Sequence, residues 1–107
     1  MNDNKMFNKS EIESMLIGEW KSEFEEIIYV FSNSPSCLKK DSLDLLVSNT
    51  KSGNYFLTTY SILSENEDTL IEMGKEKLLI KYFVNDSANK EIHLENSNRD
   101  LLILKKL

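Results

Sequence analysis

The chain has 107 residues, enough for one domain and too few for two comfortable ones. Apolar residues make up 40% and charged residues 29%, the balance of a globular domain rather than of a disordered or fibrous chain. A net charge of −5 repels a phosphate backbone and takes nucleic acid out of the expected partners, while the longest apolar run, residues 27–31, falls far short of the roughly 20 residues of a membrane span.

Residues 1–9 are polar and unpatterned and read as a loose terminus, with residues 10–107 as a single domain. The first ten residues hold no apolar core of an export signal, and the lone cysteine, Cys37, suits a reducing compartment. The expected location is therefore the cytoplasm. Ser10, Glu11, Ile12 and Glu13 have the pattern of a capping box, with Ser10 as the N-cap and Glu13 three residues on. Ile12, Met15 and Leu16 then fall at i, i+3 and i+4, one apolar face of a short helix that Gly18 ends.

After Gly18 the apolar period changes to two. Eight strands are predicted, over residues 19–22, 26–32, 43–50, 55–63, 69–73, 78–85, 91–95 and 101–107. Turn residues cluster at 51–54, 64–68, 74–76, 85–89 and 96–98, so sequence neighbours should pair as antiparallel hairpins. The longest loop is 33–42, which holds Pro35, Cys37, Lys39 and Lys40. Leu78, Ile80, Tyr82 and Val84 are expected on one face of their strand, as are Phe56, Thr58, Tyr60 and Ile62 on theirs. Ile92 and Leu94 oppose Glu91, His93 and Glu95.

The last strand is apolar on both sides, with Leu101, Ile103 and Leu107 facing one way and Leu102 and Leu104 the other. That pattern implies either a covered outer face or a homodimer through the C-terminal strand, with Leu102 and Leu104 at the contact. The expected fold is all-β: an antiparallel up-and-down meander closed into a small barrel behind a short helix, since closure removes exposed edges.

The residues Leu16, Gly18 and Trp20 stand after the short helix and open the first strand. Leu-x-Gly-x-Trp at that place resembles the opening motif of the lipocalin and fatty-acid-binding-protein group, the calycins, and above all their small bacterial lipocalin-like domains. The resemblance implies that Trp20 closes one end of the barrel under a basic side chain from the last strand. Gly18 and Trp20 are then structural, and the basic partner is Lys105, Lys106 or Arg99. The resemblance also implies a small apolar ligand inside the barrel. Tyr29, Phe31, Phe56, Tyr60 and Tyr82 are the residues expected to line its pocket, where tyrosine hydroxyls would orient a head group.

Catalytic signals are weak beside this. Glu91, His93 and Glu95 share a strand face, but the alternation with Ile92 and Leu94 reads as a solvated face rather than a metal site. Cys37 lies near Lys39 with no general base close in sequence. The acidic groups Glu23, Glu25, Glu26 and Glu65, Glu67, Asp68 fall at strand ends and turns, where charges meet water. No phosphate-binding glycine loop, G-x-S-x-G, H-E-x-x-H or C-x-x-C is present. The expectation is a binding protein, not an enzyme, with no cofactor and no metal. The alternative is an acidic interaction or immunity protein that covers a basic protein partner through its surface.

Overall fold

The structure, a computed structural model, describes residues 8–107. The loose terminus expected for 1–9 lies outside the described residues except for its last two, and those two open the helix. Helix α1 spans Lys9–Leu16. Its N-cap is Asn8 rather than Ser10: Asn8 Oδ1 accepts the Glu11 N–H at 3.1 Å. Asn and Ser cap equally well, so the earlier start gains helical residues without losing the capping bond. Ile12, Met15 and Leu16 are buried, as their spacing requires.

Eight strands follow: β1 (Gly18–Ser22), β2 (Ile27–Pro35), β3 (Leu43–Asn49), β4 (Tyr55–Glu65), β5 (Asp68–Met73), β6 (Glu76–Asp86), β7 (Asn89–Glu95) and β8 (Leu101–Lys106). Each pairs antiparallel with the next. β1 also pairs with β8 through Trp20 opposite Lys106, Lys21 opposite Lys105 and Ser22 opposite Leu104, which closes the strand order. The tight turns carry the expected chemistry. Gly74 supplies a φ of 62° after β5, and Asn66 and Glu67 take φ values of 52° and 71° between β4 and β5, a conformation that Asn tolerates well. No helix among the described residues is long and apolar enough to cross a membrane.

Two bulges displace the expected faces. β2 runs on to Pro35, inside the stretch expected as a loop, because the register with β3 shifts between Phe31 and Pro35. An irregular ladder leaves room for a proline and frees a carbonyl. The Tyr60 hydroxyl donates to that carbonyl, Ser32 O, at 2.6 Å. In β6 the register shifts between Ile80 and Tyr82. Leu78 and Ile80 face the core as expected, but Tyr82 turns out to solvent and Phe83 packs against the core instead.

β8 resolves its ambiguity the other way from a dimer contact through Leu102 and Leu104. Leu104 is fully buried in the core and Leu102 packs against it, so these side chains face the interior of this chain. Ile92 and Leu94 join them there, buried opposite Glu91, His93 and Glu95.

One end of the closed sheet is locked by α1. The Trp20 indole is fully buried and donates from Nε1 to Leu16 O at 2.8 Å. Lys106 Nζ lies 5.0 Å from the Trp20 ring centre and donates to Met15 O and Ile17 O at 2.9 and 2.5 Å. A helix end leaves its last carbonyls unpaired, so three of them are met here by the first and last strands. The basic residue over Trp20 is thus Lys106. Lys105 points the other way by strand alternation and pairs with Glu23 at 3.0 Å, and Arg99 sits at φ 67° in the turn before β8, its N–H bonded to Asn96 O.

Gly18 is fixed by the same lock. Its φ of +129° is a glycine conformation, and an added Cβ would stand 2.9 Å from both Cε and Nζ of Lys106. That ammonium cannot swing away without releasing two helix carbonyls. Gly18→Ala should therefore lower stability by about 1–3 kcal/mol, read as a lower urea midpoint. In a Lys106→Met background the same change should cost less, and equal costs in both backgrounds would place the strain in the backbone alone.

Candidate functional site

The connections β1–β2, β5–β6 and β7–β8 lie at the end of the sheet away from α1, because each odd strand runs from the helix end. They surround a pocket of about 380 Å³. Its lining includes Leu78, Leu102, Met73, Tyr29 and Glu76 from the strands, Phe24 and Glu25 from the first connection, and Asn96 and Asp100 from the last. Ser22, the last residue of β1, completes the floor. The interior toward the other end is packed. Trp20, Phe31, Leu45, Tyr60, Ile62, Ile71 and Ile80 fill it together with the buried face of α1.

Ser22 is placed by simple alternation. Trp20 points inward, so Ser22 does too, beside the equally buried Leu104 of β8. The side chain is 1% exposed, yet Ser22 Oγ has no hydrogen-bond partner among the described residues. A buried hydroxyl left unpaired costs roughly 1–3 kcal/mol. Among the described residues it is the one buried side-chain polar atom without a hydrogen-bond partner.

The five aromatics expected around a ligand do not converge. Tyr29 lines the pocket. Phe31 and Tyr60 are core residues whose rings meet edge to face at 4.9 Å. Phe56 shares the inward face of β4 with Tyr60 but is 59% exposed, because β5 pairs with β4 only from Tyr60 onward and leaves the start of β4 uncovered on that side. Tyr82 is 50% exposed and stands 5.0 Å from the His93 ring on the outer surface. A cross-strand row links the two ends: Lys106, Trp20, Tyr29, Val47 and Phe56 are successive register partners on β8, β1, β2, β3 and β4. Tyr29 is the step at which this row passes from the packed interior to the open end.

Charge is distributed unevenly around the opening. Glu25, Glu76 and Asp100 stand at the rim, and no lysine or arginine lines the pocket. The rim carboxylates form no ion pair among the described residues, whereas Glu23, Glu26 and Glu65 are paired with Lys105, Lys21 and Lys77. Burial, then the charges of Glu25 and Glu76, push the Tyr29 phenol above its usual range, so it stays a neutral donor. Both carboxylates therefore act on the same hydroxyl.

The remaining candidates are accounted for elsewhere. His93 Nε2 meets Glu91 Oε2 at 2.5 Å, a local pair on the outer face of β7. Cys37 is exposed in the β2–β3 loop, while Lys39 is drawn to Glu72 at 3.0 Å. Among the described residues no three His, Cys, Asp or Glu side chains are grouped to hold a metal ion.

No family model, curated protein or solved structure matches this chain.

Of the residues that form the pocket, only Tyr29 is expected from the sequence to bind a ligand. A signal existed for one of them: Ser22 is a polar residue at an inward position of a strand, two places from Trp20. Glu25, Glu76 and Asp100 carry none, since each lies in or beside a different connection.

Proposed function

We propose that the protein is a non-catalytic binding protein of lipocalin-like barrel form that holds a small ligand with an apolar body in the open end of the barrel. The observation that carries this is the pocket of about 380 Å³ over Leu78, Leu102, Met73 and Tyr29. Its size falls in the usual range of small-molecule sites, and its mix of apolar walls with a few polar groups is the usual chemistry. Desolvation of the ligand against those walls supplies the affinity, and Tyr29 and Ser22 supply orientation. The ligand lies at the mouth because the interior beyond Tyr29 is filled.

A fluorescent apolar probe titrated into the pure protein should bind with one-to-one stoichiometry. Met73→Trp, which fills the pocket from a half-buried position, should abolish the signal while leaving the unfolding midpoint within about 1 kcal/mol of the parent. Equal probe binding by parent and variant would move the site elsewhere.

A second reading, capture of a basic protein partner, is favoured by Tyr55, Phe56 and Leu57, three consecutive exposed apolar residues on a chain of net charge −5. It predicts a complex with a basic protein that weakens steeply with salt and survives Met73→Trp.

A further inference from the structure

Resting on the small-ligand reading, we infer that the ligand of the mouth pocket is an organic amine: an ammonium group held by the rim carboxylates, an apolar body, and a second hydrogen-bonding group at its inner end. Three independent features specify the parts. Glu25, Glu76 and Asp100 give the opening a negative rim with no lysine or arginine in the lining to neutralise it. These carboxylates do not converge as a metal-binding group, so the cation they suit is larger and more diffuse than a metal ion. Between rim and floor lie Leu78, Leu102 and Met73, which offer no polar atom to a ligand from their side chains. At the floor is Ser22 Oγ, buried and unpartnered, a donor and acceptor that only a molecule entering the pocket would complete.

Of the cations near the opening, Lys75 and Arg99 belong to the surrounding connections but do not line the pocket, and two others are engaged elsewhere. Lys21 Nζ is engaged with the carbonyls of Ser22 and Glu25 and lies 3.9 Å from Glu26, and Lys105 is held by Glu23. Tyr29, a neutral phenol between Glu25 and Glu76, adds an aromatic face for the ammonium. An anionic ligand would meet three like charges at the rim and no counter-charge in the lining. An uncharged apolar ligand would leave Ser22 unsatisfied.

The test is competition against the fluorescent apolar probe with three matched compounds. Tyramine has the ammonium, the apolar body and a hydroxyl at the far end. Phenethylamine lacks the hydroxyl, and 3-(4-hydroxyphenyl)propionate replaces the ammonium by a carboxylate. Tyramine should displace the probe at concentrations at least about tenfold below the propionate, with phenethylamine between them. The double variant Glu25→Gln/Glu76→Gln should bring tyramine and the propionate within about threefold of each other. Ser22→Ala should remove the advantage of tyramine over phenethylamine while holding or raising the urea midpoint of the free protein, a combination that a purely structural serine would not give. Equal competition by amine and carboxylate, or an unchanged preference in the double variant, overturns the amine assignment and leaves small-ligand binding standing. Failure of the probe itself to bind the parent protein overturns both.

Discussion

Trp20→Ala should destabilise the protein by about 4–5 kcal/mol, the upper end of the range for truncating a buried aromatic. Two effects add. The fully buried ring leaves a large space between α1 and the sheet, and the Leu16 carbonyl loses its donor. Lys106 also loses the face it stacks on while remaining partly buried, where desolvation already lowers its pKa. A domain of this size has about 5–15 kcal/mol to lose, so a large fraction of the variant should be unfolded or loosely packed at ambient temperature. Urea unfolding followed by far-ultraviolet circular dichroism measures this directly. Trp20→Phe separates the parts, since it keeps most of the packing and removes the indole N–H; it should lose about 1–2 kcal/mol. A Trp20→Ala midpoint within 1 kcal/mol of the parent would show that the helix end is held by Lys106 and apolar packing alone.

The features that could be read in the sequence and those that could not divide along a physical line. The eight strands and their order follow from period-two alternation and short polar turns, both local properties of a few residues. So does the inward direction of Ile92, Leu94 and Tyr60, which alternation alone sets. The faces failed where one extra residue breaks the alternation. Lys81 carries no mark that distinguishes it from an ordinary strand lysine, yet the register shift around it exchanges Tyr82 for Phe83 in the core. The same applies to Pro35, whose pairing with Leu43 depends on the register slip after Phe31. The choice of Lys106 over Lys105 or Arg99 needed the register of β8 against β1, a contact across the whole length of the chain. The pocket is harder still. Ser22 ends β1, Glu76 opens β6 and Asp100 precedes β8, three places that the strand order brings to one end, so no local pattern joins them.

Tyr60 provides the second large effect, and it is a pH dependence. Burial, then the charge of Glu13 on α1, pushes its phenol from 10.0 up to about 12. The hydroxyl donates to Ser32 O, so the neutral form is the one the fold uses. The folded state therefore holds this proton more tightly than the unfolded chain. The stability it contributes is present in full below 10 and is lost as pH rises from 10 towards the folded value near 12. A displacement of that size corresponds to about 3 kcal/mol at its limit. Stability measured by urea unfolding should fall with a clear slope between about pH 10 and 11.5. Tyr60→Phe should be weaker than the parent at neutral pH by about 1 kcal/mol, because the Ser32 carbonyl loses its donor. It should also lose most of the alkaline slope, so that the two stability curves approach or cross at high pH. The slope that survives comes from Tyr29, whose phenol is raised as well and whose share Tyr29→Phe would remove, and from Lys77 and Lys105, whose ammoniums are raised by hydrogen bonds to Glu65 and Glu23. Parallel curves for parent and Tyr60→Phe would mean that the Tyr60 proton is not what the alkaline fold depends on.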